Sequence, residues 1–147
     1  MQEWEMPFSQ CRRILNPKMK YLTDTGFAAL GRPFTENYGR IIENIVAIEL
    51  FRRGMETYCF KNNRNECDFI INQGLKPTHA IQVCWELTTR NEKREIAGLV
   101  DACSSLGLTS GIILTYIQEE EHEKNGLKIS VLPLWKWLLE GDATKTT

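Results

Sequence analysis

Several features are missing from this 147-residue sequence, and each absence removes a class of protein. No apolar run approaches the roughly 20 residues a helix needs to cross a bilayer, so no helical membrane span and no membrane partner are expected. The N-terminal stretch has no signal-peptide pattern. Histidines number only 2, no CxxC pair occurs, and no Cys/His spacing suits zinc. The 5 cysteines, an odd number, are scattered at 11, 59, 67, 84 and 103. That scatter argues against a disulfide framework and for reduced thiols in a cytoplasmic protein. No GxxxxGKS/T occurs, so no ATP site of the P-loop kind is expected in this chain. Charge of one sign is also lacking. The net charge is −1, so the whole molecule does not attract phosphate, and any nucleic-acid site has to be a local patch.

What is present is ordinary globular material. Apolar residues make up 42% and charged residues 25%. A chain of this size buries roughly 70% of its unfolded surface without needing a staple. Residues 1–36 have poor periodicity, with Pro7, Pro17 and a basic tint, and read as a linker-like segment holding one short strand at 21–27. Residues 37–54 form the strongest helical pattern: Ile41, Ile42, Ile45, Val46, Ile48, Leu50 and Phe51 recur at helical spacing and Gly54 ends it. Three strands follow, at 56–61, 66–72 and 78–87, separated by the polar turns 62–65 and 73–77. A second helix is expected over 91–106, capped by Thr88 or Thr89 and ended by Gly107. The apolar run 111–116 reads as a strand covered on both faces. The acidic run within 118–125 reads as a solvated loop, 126–133 as a strand, and 134–139 as a short amphipathic helix. The polar tail 141–147 is expected to be disordered. Helix, three strands, helix, strand, strand and short helix together predict an α/β fold with a mixed sheet in a domain spanning 37–140.

The stretch 66–87, ECDFIINQGLKPTHAIQVCWEL, organises the rest. Strand alternation puts Glu66 and Asp68 on one face and Gln82 and Cys84 on one face of the neighbouring strand. Asp68 beside Gln82 is thus a plausible cross-strand pair. Glu43 borders the packed side of the first helix, where an acid either reaches out to solvent or points at something that wants it. Arg90, Lys93 and Arg94 open the second helix, as a solvated helix end or as a patch for phosphate contacts.

A helix Glu, a strand Asp, then a position for acid-x-Lys on the next strand resembles the layout of PD-(D/E)XK nucleases. The segments GRIIENIVAIELFRRG, ECDFI and AIQVCWEL resemble more narrowly the C-terminal nuclease-like module of prokaryotic AAA+-type P-loop ATPases of largely unassigned role. In that family a segment like KYLTDTGF precedes the helix and one like ISVLPLWKWLL closes the domain, so the resemblance runs from about residue 18 to 139. It implies a restriction-endonuclease-like core: a mixed sheet in the order helix–three strands–helix–strand, with a C-terminal strand and short helix. It implies Mg²⁺ held by Glu43, Asp68 and Gln82, since that ion prefers hard oxygen donors. It implies catalytic positions at Asp68, Gln82 and Cys84, and an attached or partner P-loop ATPase. The family's ATPase portion is not in this sequence, which reads as a fragment of a longer protein or a stand-alone copy. Gln82 stands in place of an acid and Cys84 in place of the lysine. A thiol supplies no cation and prefers softer metals than Mg²⁺. The expected function is therefore a degenerate nuclease-fold module acting in nucleic-acid or partner binding and regulation. An active Mg²⁺-dependent phosphodiesterase with a relocated cation and a pure protein-interaction domain are the alternatives.

Overall fold

The computed structural model describes residues 38–140. The expected strand at 21–27, the linker-like segment 1–36 and the tail 141–147 lie outside the described residues. The described chain runs α1 (Tyr38–Arg52), β1 (Glu56–Lys61), β2 (Glu66–Gln73), β3 (Lys76–Val83), α2 (Glu92–Leu106), β4 (Ser110–Thr115), β5 (Glu120–Lys124), β6 (Leu127–Pro133) and α3 (Leu134–Leu139). The six strands form one sheet in the order β1-β2-β3-β4-β6-β5. The β1/β2, β2/β3 and β5/β6 pairs are antiparallel; β3/β4 and β4/β6 are parallel. The protein is therefore α/β with a mixed sheet.

Two apolar cores cover the two faces of that sheet. On one, Ile96, Leu99, Ala102, Cys103 and Leu106 of α2 pack on Ile70, Ala80, Ile113 and Ile129. On the other, Ile42, Val46 and Leu50 of α1, with Leu134 and Trp137 of α3, pack on Phe69, Ile81 and Leu114. The central strand β4 contributes to both, as expected of a buried parallel strand whose apolar run has no polar alternation. The final helix buries Trp137 and leaves Trp135 exposed, in line with their alternate positions.

Several expectations are corrected. The acidic run is not a loop. Residues Glu120–Lys124 form β5, the edge strand of the sheet, joined to β6 by a two-residue turn. Asn125 and Gly126 both have positive φ, 54° and 78°, the backbone of a tight hairpin turn that Asn-Gly favours. An edge strand covered on neither side tolerates Glu at nearly every position, and the charge discourages pairing with another chain. The third strand ends at Val83 rather than 87. Beyond it the side-chain amide of Gln118 takes both backbone groups of Leu87: Leu87 N–H donates to Oε1 at 2.6 Å and Nε2 donates to Leu87 C=O at 3.0 Å. No threonine caps α2. Asn91 holds the N-cap position, and its Oδ1 accepts from Thr88 N–H. Arg53, just past the end of α1, holds its guanidinium 4.5 Å over the Trp137 ring and donates to Glu49, clipping α1 to α3. Cys67, Cys84 and Cys103 are free thiols, but Cys59 is disulfide-bonded, so the expectation that every cysteine is reduced does not hold.

Candidate functional site

The site forms where β2 and β3 part. Their backbone ladder runs from Gln73↔Lys76 to Phe69↔Ile81 and then stops. Beyond that point side chains replace main chain. Val83 N–H donates to Asp68 Oδ2 at 2.8 Å, and Asp68 N–H donates to Gln82 Oε1 at 3.2 Å. The cause lies on the other side of β2. Tyr58 pairs with Ile70 and Phe60 with Cys67, so Asp68 and Phe69 together face Cys59. Such a bulge re-aims the side chains beside it and strengthens the local twist. Cys67 packs with the α2 core while Phe69 packs with the α1 core. The simple alternation expected for Glu66 and Asp68 therefore slips by one here.

Opening the strands leaves a cleft of about 610 Å³. Glu43 from α1, Asp68 from β2, and Gln82 and Cys84 from β3 and the residue after it all line it. Four sequence-predicted positions from three segments are thus brought to one hollow. Arg94 lines it too, whereas Arg90, in the turn before α2, and Lys93, on α2, are exposed and outside its lining. Of the three cations expected to open the second helix, Arg94 shares the cleft's lining with Arg40, Lys61 and Arg64. Arg64 is presented on a held turn. Asn62 Oδ1 accepts from the N–H groups of Arg64 and Asn65, and the Asn62 and Asn65 amides both donate to Asp101 of α2.

The sequence reading missed Glu95. It is buried on α2 and accepts from Gln82 Nε2 at 2.6 Å. Its other oxygen accepts from Arg94 at 2.7 Å. Gln82 is therefore a strut between Asp68 and Glu95, with both ends of its amide engaged. One signal was available: Glu95 sits on the same helical stripe as Leu99 and Ala102, where an acid needs a partner. Gly98 makes the approach of α2 possible. A Cβ there would stand 2.1 Å from the Glu66 carbonyl oxygen, so only glycine lets the helix rest on β2 one turn from Glu95.

The electrostatics follow from this crowding. The Asp68 carboxyl is raised from 3.8 to about 8, first by loss of solvent and then by the Glu43 carboxylate; the Val83 N–H acts the other way, and Glu95 and Glu66 add to the rise. The Cys84 thiol is raised to about 12 by burial, with Glu95 and Asp68 adding to the effect. It remains a neutral thiol at neutral pH, neither a cation nor a nucleophile. Among the described residues no three His, Cys, Asp or Glu side chains are grouped so as to hold a metal. Mg²⁺, however, commonly takes one or two carboxylates and completes its shell with water and substrate phosphate. Glu43 and Asp68, whose carboxyl the Glu43 charge makes harder to ionise, are of that chemistry.

No helix among the described residues is long and apolar enough to cross a membrane. An α/β domain with a mixed sheet and an acidic cleft rimmed by cations is the class these observations define. In sequence the chain is similar to the uncharacterised protein MJ1544 of Methanocaldococcus jannaschii, 34% identical over 143 residues, covering 90% of this chain and 32% of that protein. The chain thus spans about a third of that relative's length. No family model matches the chain, and no solved structure matches it.

Proposed function

We propose that this chain is a PD-(D/E)XK nuclease-like module that binds the phosphate backbone of nucleic acid in its cleft and has lost the lysine on which efficient cleavage depends. The observation that carries the reading is the convergence of Glu43, Asp68, Gln82 and Cys84 on one open hollow ringed by Arg40, Lys61, Arg64 and Arg94. Arg40 and Arg64 make no ion pair with other described residues, so their guanidinium groups are available to phosphate oxygens. Glu43 and Asp68 would hold Mg²⁺ together with a phosphate. That ion would supply charge neutralisation and, in an active relative, an activated water. The chain's own residues bind and orient: Asp68 is fixed by Val83 N–H, and Gln82 ties it to Glu95 and thence to Arg94.

The module is further proposed to serve an AAA+-type P-loop ATPase, attached or partnered, as a nucleic-acid-binding and regulatory part. The resemblance of 18–139 supports this, and so does the relative's being about three times as long. A second reading, hydrolysis with Arg94 as the relocated cation, is favoured by the place of its guanidinium on Glu95 at the cleft.

The test combines binding and cleavage. Anisotropy with labelled DNA and RNA, in Mg²⁺ and in EDTA, is expected to show binding that weakens in Asp68→Ala and in Arg40→Ala/Arg64→Ala. Plasmid and single-stranded DNA incubated with Mg²⁺ or Mn²⁺ are expected to stay intact. Cleavage that disappears in both Asp68→Ala and Arg94→Ala would replace the binding reading with the second one. Calorimetry of Mg²⁺ near pH 7 in buffers of different ionisation enthalpy should show proton release, because a bound cation favours the ionised Asp68.

A further inference from the structure

Three aromatic side chains meet beside the cleft, and nothing in the site as described uses them. Trp85 follows the end of β3 and lines the cleft. Tyr116 follows the end of β4 and stacks on Trp85, with ring centroids 4.3 Å apart and planes 11° from parallel. Its backbone N–H donates to Trp85 C=O at 3.0 Å, which fixes the two segments side by side. Tyr38 opens α1 and lies 4.5 Å from Trp85 at 35°. It stands two residues before Arg40 and five before Glu43. The ladder therefore sits at the C-terminal edge of the parallel strands, where open α/β sheets bind ligands.

Two features separate this ladder from ordinary core packing. Tyr38 is 42% exposed and Tyr116 50% exposed, and Ile117 beside them is exposed too. Neither tyrosine hydroxyl makes a hydrogen bond with another described residue. A stacked pair, Trp85 on Tyr116, flanked by a third tilted ring and with two of the three rings partly open to water, offers a further flat ring a surface to stack on. The neighbouring charges name the class of ring. Arg40, Arg64 and Arg94 line the same cleft as Trp85, so a ligand that satisfies both has a flat aromatic group every few ångströms along a polyanion.

We infer that Tyr38, Trp85 and Tyr116 form a stacking platform for unpaired nucleobases, which makes the occupant of the cleft single-stranded nucleic acid rather than duplex. This rests on the cleft reading above and narrows it. Duplex DNA or RNA can meet the cations but keeps its base faces covered by neighbouring base pairs. A single strand offers phosphates to the cleft and bases to the ladder at once, and aromatic stacking tolerates any base.

The full chain is tested by anisotropy with three labelled ligands of equal length: a single-stranded oligonucleotide, the same sequence as duplex, and an abasic sugar–phosphate strand. The expected order is single strand tighter than both others. Tyr116→Leu is expected to weaken the single strand about 10-fold and leave the abasic strand unchanged. Tyr116→Phe, which keeps the ring and loses only the hydroxyl, is expected to bind as the parent does. Circular dichroism confirms that each variant is folded, and Tyr38→Leu provides an independent second lesion. Equal binding of single and abasic strands, or an unchanged affinity in both leucine variants, overturns the platform while leaving the phosphate-binding cleft intact. Absence of binding by all three ligands overturns both.

Discussion

Asp68 shows how one residue's titration reports the crowding of the site. Its carboxyl is raised to about 8. Below about pH 4 the folded and unfolded chains both hold the proton, and the shift has no effect on stability. Between about pH 4 and 8 the unfolded chain has released a proton that the folded one retains, so stability falls as pH rises and levels off above about 8. Asp68→Asn keeps an acceptor for Val83 N–H and removes the charge. It is expected to flatten that fall, read as urea midpoints at pH 5 and pH 8. Cys84 gives the complementary prediction. Lysine there would set a cation near Asp68 and Glu95, at a cost of about 1–3 kcal/mol for crowding a packed position. Cys84→Lys is expected to melt lower and, if the proposed ancestry is right, to nick plasmid in Mg²⁺ where the parent leaves it intact. A folded Cys84→Lys with no activity in Mg²⁺ or Mn²⁺ would count against the lysine as the missing part.

At the scale of elements, the contact of α2 with β2 sets the site's depth. An exposed helical glycine replaced by alanine gains about 1 kcal/mol of helix propensity. Gly98→Ala should do the reverse, because its Cβ would stand 2.1 Å from a main-chain oxygen that cannot rotate away. The expected net loss is about 1–3 kcal/mol, seen as a lower urea midpoint. The lift of α2 should also pull Glu95 from Gln82 and weaken nucleic-acid binding. An unchanged midpoint would show that α2 shifts freely and that the Glu95–Gln82–Asp68 link is not fixed by helix packing. How much was legible differs by element. The three meander strands and both long helices could be read from apolar periodicity and glycine stops. β5 could not be read from periodicity, since a solvated edge strand has no apolar alternation. The Asn125-Gly126 pair was the available signal, and its geometry supports only a tight turn between two strands. The bulge at Asp68 had no sequence signal: it is a register difference between two strands, which neither strand encodes alone.

For the whole molecule, the net charge of −1 conceals a local concentration of four cations around the cleft. Binding that depends on them should be steep in salt. Each phosphate neutralised on a single strand contributes about −0.7 to the slope of log K against log salt. If all four cations engage, the slope should be about −2.8, and Arg40→Ala/Arg64→Ala should reduce its magnitude by about 1.4. Titrations between 50 and 200 mM salt, roughly the range over which such slopes are read, check both values. A slope near zero in the parent would remove the cations from the interface.

Sequence alone determined the type of every described element except β5, and with them the α/β class, because apolar spacing is local and read along one segment at a time; the resemblance to a nuclease family is what set Glu43, Asp68, Gln82 and Cys84 together. Tertiary structure alone decided what they do to one another. It made Gln82 a strut between Asp68 and Glu95, set Arg94 on the cleft's lining with Arg90 and Lys93 outside it, and gathered Tyr38, Trp85 and Tyr116 from three distant segments. These outcomes depend on where two strands separate and how closely a helix can lie on them. Such distances are set by packing between segments far apart in the chain, so no local pattern carries them.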